Sequence, residues 1–166
     1  NTNGNEGFEP YNRLKHFGSW VSADPGQSCM NTRAKLLSSR SEVPVEMSAN
    51  GCTVRRGKWY DPYSNRYYTE ASQIEIDHVV PLKNAYINGA HAWSKQKRCV
   101  YGNYVGNEFH LLAVQSSENS RKSDRTPERY VPSNRAYTCE YLKHWLQIKL
   151  YWRLTLTPSE KTRIVE

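Results

Sequence analysis

The chain has 166 residues, close to the usual size of one globular domain, so we expect a single domain. Lysine and arginine total 23 against 16 aspartate and glutamate residues, and the resulting net charge of +7 indicates a polyanionic partner: a nucleic acid, an acidic polysaccharide or an anionic membrane surface. No run approaches the roughly 18 consecutive apolar residues of a membrane-spanning helix, which excludes such a helix from this sequence.

The first twelve residues are polar and rich in asparagine and glycine. Residues 1–12 are therefore predicted to form a flexible tail before a single domain that spans residues 13–166. The chain begins with Asn1 rather than with methionine, a basic segment and an apolar core. This start is typical of a processed protein, so we expect a secreted or periplasmic protein whose signal peptide has been removed.

Four cysteines allow three disulfide pairings, and none of them has the spacing of a zinc site. We favour Cys29 with Cys52 and Cys99 with Cys139, because each pair would close a neighbouring loop-rich segment and add about 3 to 4 kcal/mol. Disulfides imply an oxidising compartment. The alternative is four free thiols in a cytosolic protein.

The first two predicted elements are a helix and a hairpin. Leucine and alanine at helical spacing predict a helix over residues 32–40. Aromatic residues and valine on both sides of the turn-forming residues 61–65 predict a β-hairpin within residues 52–69. We therefore expect the N-terminal part of the domain to contribute a helix and an antiparallel strand pair.

A strand, a second strand and a short helix are expected next. The β-branched run 74–80 is ended by Pro81, which predicts a strand that gives way to a loop. Residues 109–114 form a second apolar run, and the polar residues 116–125 have few helix breakers before Pro127. The expected order is thus strand, strand, short helix.

Two helices complete the prediction. Asn134 is expected to cap a long helix that continues to Trp152 and turns its aromatic stripe into the core. Thr157, Pro158 and Glu160 have the spacing of a capping box with proline in the first turn, so a terminal helix should begin there.

Asp77 and His78 place a carboxylate and an imidazole at the end of an apolar strand, where both side chains can reach one cleft. A carboxylate is a hard oxygen ligand for magnesium, and a neutral histidine can accept a proton from water near neutral pH. This division suits phosphodiester hydrolysis. An isolated Asp-His pair is more often a turn cap beside a structural histidine, so the pair needs support from other residues.

That support comes from His110, at the start of the second strand, and from Asn119 and Lys122 in the short helix. The arrangement resembles the HNH (ββα-metal) nuclease superfamily, including the HNH domains of RNA-guided DNA nucleases. It is more similar still to small secreted bacterial HNH endonucleases, from about residue 29 to the C-terminus. Further matching segments are Gly57-Lys58-Trp59-Tyr60-Asp61-Pro62-Tyr63, Gly89-Ala90, Trp93, Leu111-Leu112-Ala113-Val114, Pro127 and Cys139-Glu140-Tyr141.

The resemblance implies an α+β fold in which a ββα-metal core, residues 74–125, is flanked by helices and an N-terminal β-hairpin and stapled by disulfides. It also implies that His78 is the general base that activates water. Asp77 and Asn119 would bind one divalent cation, with Mg²⁺ favoured and Mn²⁺ or another transition metal as alternatives. Hydrolysis would then leave 5′-phosphate ends.

His110 stands where the family usually has asparagine, which implies a second catalytic histidine that either hydrogen-bonds the loop carrying the base or reaches the metal. Lys122, Arg121 and Arg33 are candidate phosphate-binding residues. For Lys122 the alternative is a solvated helix lysine, and for Arg33 it is a fold-bracing role.

The expected function is a secreted, metal-dependent endonuclease that cleaves DNA, and RNA as a further substrate, with little sequence specificity. We expect a monomer with no membrane partner. One alternative is a basic extracellular module that binds nucleic acid or another polyanion without cleaving it. The other is the toxin domain of an antibacterial nuclease, which would be accompanied by an inhibitor protein.

Overall fold

The computed structural model describes residues 7–165, and it combines helices with antiparallel strands, in agreement with the predicted α+β class. The elements in chain order are α1 (Arg13–His16), α2 (Thr32–Arg40), β1 (Glu46–Met47), β2 (Val54–Asp61), β3 (Arg66–Glu70), β4 (Ile74–His78), α3 (Leu82–Ile87), α4 (Lys95–Gly102), β5 (Leu111–Gln115), α5 (Ser116–Lys122), α6 (Thr138–Tyr151) and α7 (Pro158–Val165). Short 3-10 turns occupy Ala71–Gln73, Ala90–Ala92 and Arg135–Tyr137. No helix among the described residues is long and apolar enough to cross a membrane.

The predicted hairpin is confirmed as β2 and β3, to which β1 adds a third antiparallel strand. Its turn is fixed by Asp61, whose carboxylate accepts hydrogen bonds from the Tyr63 amide at 2.8 Å and the Ser64 hydroxyl at 2.6 Å. Asn65 adopts a φ of 57°, a left-handed conformation that asparagine tolerates well. The Asp61 carboxylate also accepts the Gln115 amide at 3.2 Å and thereby joins the hairpin to β5.

Strands β4 and β5 form a separate antiparallel pair, with Ile74 opposite Gln115 and His78 opposite Leu111. Helix α5 follows β5 without a loop, and the Gln115 side chain caps it by accepting the Glu118 amide at 3.0 Å. The predicted order of strand, strand and short helix is therefore present. Because α5 packs directly on this pair, its side chains meet those at the end of β4.

The strand pair lies between two hydrophobic clusters, which explains why both of its faces are apolar. The smaller cluster contains α2 and β2 residues together with every second strand residue, including Ile74, Ile76 and Ala113. The larger cluster takes the opposite face through Leu112 and Val114 and packs it against α3, α4 and α6. Burial on both faces fixes the end of β4 rigidly between the two clusters.

The long helix begins later than predicted. Asn134 does not cap it: a 3-10 turn at Arg135–Tyr137 comes first, and the Asn134 amide instead donates to the Pro62 carbonyl at 3.0 Å. The aromatic stripe of α6 does form core, since Tyr141 and Trp145 are fully buried. The terminal capping box is present, because Thr157 and Glu160 exchange backbone-to-side-chain hydrogen bonds at 2.9 and 3.2 Å.

Residues 1–6 of the predicted tail lie outside the described residues, whereas the residues that follow them pack against the domain. Phe8 stacks on His91 with ring centroids 3.9 Å apart. The Glu9 carbonyl accepts a hydrogen bond from the Tyr86 hydroxyl at 2.8 Å, and Tyr11 packs on the same tyrosine. The domain therefore includes residues from about 8 onward.

One of the two predicted disulfides is present and the other is wrong. Cys29 and Cys52 are bonded and join the loop before α2 to the loop before β2. Cys99 and Cys139 are free thiols. Cys139 lies in the first turn of α6 and is exposed, because helical geometry turns it away from the buried residues of that helix. Cys99 lies half-buried in α4, with the Asn103 amide as its polar contact.

Candidate functional site

A cleft of about 290 Å³ opens where β4 ends, beside α1 and α5. Three of the predicted site residues, Asp77, His78 and Asn119, line it together. Its other lining residues are Tyr11, Arg13, Ile76, Pro81, Leu82, Lys83, Ser123 and Asp124. We refer to this feature as the His78 cleft.

The ring of His78 is fixed in orientation and in tautomer. Its Nε2 lies 2.8 Å from the Gly102 carbonyl oxygen, and because a carbonyl only accepts, Nε2 carries the proton. The Nδ1 atom then has a free lone pair, and no described residue hydrogen-bonds to it. Trp20 stacks on the ring at 5.3 Å with planes only 4° apart. Burial lowers the pKa of His78 to about 3, so the imidazole is neutral at pH 7.

The Asp77 carboxylate is buried and held by two donors. Its Oδ1 accepts from the Lys122 ammonium at 2.9 Å, and its Oδ2 accepts from the Tyr63 hydroxyl at 2.7 Å. Burial raises the pKa of Asp77, although the neighbouring ammonium opposes that shift. Each carboxylate oxygen can accept more than one contact, so both retain acceptor capacity toward the cleft.

Asn119 is positioned by Glu75, which lies two residues before Asp77 on the same face of β4. The Asn119 Nδ2 donates to the Glu75 carboxylate at 2.5 Å. This bond uses the amide nitrogen and leaves the Oδ1 of Asn119 without a partner among the described residues. Two side-chain contacts between α5 and β4 thus orient the oxygen donors of the cleft. Glu75 orients Asn119, and Lys122 orients Asp77.

His110 lies behind the cleft rather than in it. It is fully buried, its Nε2 donates to the Tyr101 carbonyl at 2.7 Å, and its Nδ1 has no partner among the described residues. Burial lowers its pKa to about 4. Its backbone carbonyl accepts the Val79 amide at 3.2 Å and so holds the loop that follows His78. Its ring meets His78 edge-on at 6.5 Å.

Lys122 is not the solvated helix lysine that was one of the two expectations for it. Its side chain is completely buried. Besides Asp77, the ammonium donates to the His78 carbonyl at 3.0 Å. The lysine therefore neutralises the buried carboxylate and ties α5 to the end of β4.

The two arginine candidates lie away from the cleft. Arg121 is on the other side of α5 from Asn119, because residues two apart on a helix point about 200° apart. Its guanidinium binds Glu118 at 2.6 Å and stacks on Tyr130. Arg33 donates to the carbonyls of residues 71 and 74 at 3.2 and 3.0 Å, which braces the start of β4.

Several contacts of the site were not expected from sequence. The Tyr63 hydroxyl, the Gly102 carbonyl and the Trp20 ring all hold Asp77 or His78. Each comes from a distant part of the chain, and backbone carbonyls leave no mark in a sequence. Tyr11 and Arg13, at the end of the segment predicted as a tail and just after it, line the cleft as well.

The described residues contain no group of three or more histidine, cysteine, aspartate or glutamate side chains arranged to hold a metal. Magnesium needs no such cage, because it is commonly bound through one or two carboxylates, water and substrate phosphates. The Asp77 carboxylate and the free Oδ1 of Asn119 share one cleft and are both hard oxygen donors. This donor set fits a partly hydrated magnesium ion.

Two comparisons with known proteins found matches to this chain. The family described as GmrSD restriction endonucleases, C-terminal domain, matches residues 32–166. A protein of Arthroderma benhamiae, described as an uncharacterized secreted protein, is 34% identical over 154 residues, which cover 93% of this chain and 72% of the relative. No solved structure matches the chain. The chain belongs to the family of GmrSD restriction endonuclease C-terminal domains, a nuclease family of the HNH type.

Proposed function

We propose that this protein is a metal-dependent endonuclease that hydrolyses phosphodiester bonds, with β4, β5 and α5 as its ββα-metal core. The observation that carries the proposal is the arrangement of His78: its Nε2–H is fixed by the Gly102 carbonyl while its Nδ1 is free, in the cleft shared with Asp77 and Asn119. A neutral imidazole with an unused lone pair beside two oxygen donors supports the chemistry of water activation.

In this mechanism His78 accepts a proton at Nδ1 from the attacking water. The water oxygen forms a new bond to phosphorus as the bond to the 3′-oxygen breaks. The released 3′-oxygen takes a proton from solvent, and His78 returns its own proton to solvent, so the products are a 5′-phosphate and a 3′-hydroxyl. The Gly102 carbonyl stabilises the imidazolium that results, because it accepts from Nε2–H. His110 acts as a positioning residue through its backbone bond to Val79.

Asp77 and Asn119 would hold the divalent cation, for which Mg²⁺ is the favoured identity and Mn²⁺ or another transition metal an alternative. When bound, the cation supplies Lewis-acid stabilisation of the phosphate and of the departing 3′-oxygen. Lys122 favours the ionised form of Asp77, and Glu75 binds the Asn119 amide nitrogen so that its oxygen remains available to the cation.

The proposed substrate is DNA, with RNA as a further substrate, cut with little base specificity. Arg13 and Lys83 line the cleft and suit contacts with phosphates, which carry no sequence information. Secretion is supported by the Cys29–Cys52 disulfide and by the secreted protein that this chain resembles.

The test is cleavage of supercoiled plasmid and of RNA by the purified protein across a panel of divalent cations. A reaction with chelator is the metal-free control. We expect cleavage with Mg²⁺ or Mn²⁺ and none with chelator. His78→Ala should lower the cleavage rate by about 10²- to 10⁴-fold and retain the fold. His91→Ala, outside the cleft, is the matched control and should cleave as the wild type does.

Wild-type cleavage by the His78→Ala variant would refute the role of the base. A wild-type protein that binds DNA in a salt-sensitive manner but cleaves it with none of the cations would instead be a polyanion-binding module. If a dedicated inhibitor protein blocks cleavage, the protein would be the toxin domain of an antibacterial nuclease that acts by the same chemistry.

A further inference from the structure

A larger cavity, of about 670 Å³, lies on the side of α5 that faces away from Asn119. Four arginines line it, and we call it the arginine pocket: Arg121, Arg129, Arg135 and Arg163. Arg121 is fixed there by Glu118, by the Val131 carbonyl and by the Ser133 hydroxyl. The other three arginines form no ion pair with any residue in the described range 7–165. Their positive charges are therefore available to a ligand.

A third cavity, of about 280 Å³, lies between the arginine pocket and the His78 cleft. It shares Lys83 and Asp124 with the cleft, and it shares Glu128 and Arg129 with the arginine pocket. The three cavities therefore adjoin one another in a row, and we call the row the basic groove. Arg125 lies in its middle section.

Charge along the basic groove is strongly positive. Seven basic side chains line it against three acidic ones. Asp77 pairs with Lys122 and Asp124 pairs with Lys83, at 2.9 Å each, and Arg121 pairs with Glu118. The lining residues that form no ion pair within residues 7–165 are then five arginines and one acid: Arg13, Arg125, Arg129, Arg135, Arg163 and Glu128. The excess of unpaired arginine increases from the cleft toward the arginine pocket, away from the proposed site of cleavage.

We infer that the basic groove binds the phosphodiester backbone of the nucleic acid on one side of the cleaved bond, with the arginine pocket as an anchoring site remote from the chemistry. This rests on the proposed function, since it identifies the ligand of the groove as the nuclease's own substrate. Guanidinium groups bind phosphate oxygens in a planar, two-pronged geometry, and several cations along a groove match a chain of phosphates. Three arginines that form no ion pair within the described part of the chain share this pocket, which suits a ligand with several phosphates.

The test measures binding without cleavage. In the His78→Ala background and in the presence of chelator, fluorescence anisotropy is recorded for a short fluorescein-labelled DNA duplex at several salt concentrations. The groove variant replaces Arg129, Arg135 and Arg163 with alanine. The matched control removes three positive charges elsewhere, as Arg55→Ala, Arg66→Ala and Lys95→Ala, and circular dichroism checks the fold of both.

The groove variant should weaken binding by roughly 100-fold at 0.1 M salt and reduce the slope of log affinity against log salt by about 2.7, whereas the control should change neither substantially. The double variant Arg129→Ala with Arg135→Ala, which alters only exposed side chains, should lose about 1.8 in slope. Equal losses in groove and control variants would overturn the inference. Binding is measured without catalysis, so these outcomes do not depend on whether the wild type cleaves.

A second measurement separates a polymer backbone from free phosphate. Inorganic phosphate is titrated into the complex while the ionic strength is held constant with chloride. We expect no more displacement than chloride alone produces. Efficient displacement by millimolar phosphate would show a site for the free anion and would contradict backbone binding.

Discussion

The buried ion pair between Lys122 and Asp77 gives the sharpest prediction about the site's construction. Both side chains are buried, at 0% and 5% exposure, so Lys122→Met leaves the carboxylate without its charge partner. The variant relieves this by protonating Asp77. At pH 7 that step costs about 4 kcal/mol, since a carboxyl group in the unfolded chain has a pKa of about 3.9 and each pH unit is worth about 1.36 kcal/mol. At pH 5 the same step costs only about 1.5 kcal/mol.

The sign follows from linkage. In Lys122→Met the folded-state pKa of Asp77 lies above the unfolded value, so stability is present at low pH and is lost as pH rises. Urea denaturation followed by circular dichroism measures the loss of unfolding free energy at pH 7 and at pH 5. In a thermal scan at pH 7 the Tm should fall by roughly 10 °C.

The control is Lys83→Met, which breaks the ion pair with Asp124, where both side chains are 49% exposed. Exposed pairs contribute about 0 to 1 kcal/mol, so this variant should lose little at either pH. Equal losses for the two methionine variants, or a Lys122→Met loss independent of pH, would refute the account of a charged buried pair.

Two further predictions concern stability and thiols. Burial lowers the pKa of His110 to about 4, so the stability that the neutral side chain contributes is present above about pH 6.5 and is lost as pH falls. His110→Gln removes this titration. Between pH 7 and pH 5 the variant should therefore lose about 2 kcal/mol less unfolding free energy than the wild type, as measured by urea titrations. Reduction of Cys29–Cys52 should cost about 3 kcal/mol, and thiol titration of the unreduced, denatured chain should find two thiols, with Cys139 reacting before Cys99 in the native protein. A count of zero or four thiols in the unreduced, denatured chain would contradict the single disulfide.

The order of elements around the site was predictable because its signals are local. The run 74–80 is β-branched and ends at Pro81, while the polar residues 116–122 follow an apolar strand. Such patterns depend on near neighbours in sequence, and the structure agrees to within a few residues. The resemblance to HNH nucleases predicts that Asp77, His78 and Asn119 share one site, and all three line the His78 cleft.

The interior of the site was not predictable, because its partners are distant in sequence. A lysine within a polar helix is expected on the surface, and nothing local marks Lys122 as buried. Its environment is created by Asp77, 45 residues earlier, and by the Tyr63 hydroxyl that shares this carboxylate. Similarly, the tautomer of His78 depends on a carbonyl at Gly102.

The prediction of a disulfide between Cys99 and Cys139 was wrong, and the sequence itself contains the reason. Sequence spacing says whether a loop can close but not which way each cysteine points. Within the helix predicted from Asn134 to Trp152, the core positions Tyr141, Trp145 and Ile148 place Cys139 on the outer face. Helical phase, considered together with loop length, would have argued against the pair.

The most direct test of the central claim is chemical rescue at His78. His78→Gly should lose metal-dependent plasmid cleavage, and added imidazole should restore part of it in proportion to the neutral imidazole concentration, because the ring supplies the missing proton acceptor. Asn119→Ala serves as the control, since it should lose cleavage without rescue. Undiminished cleavage by His78→Gly, or equal rescue of both variants by imidazole, would contradict the role assigned to His78.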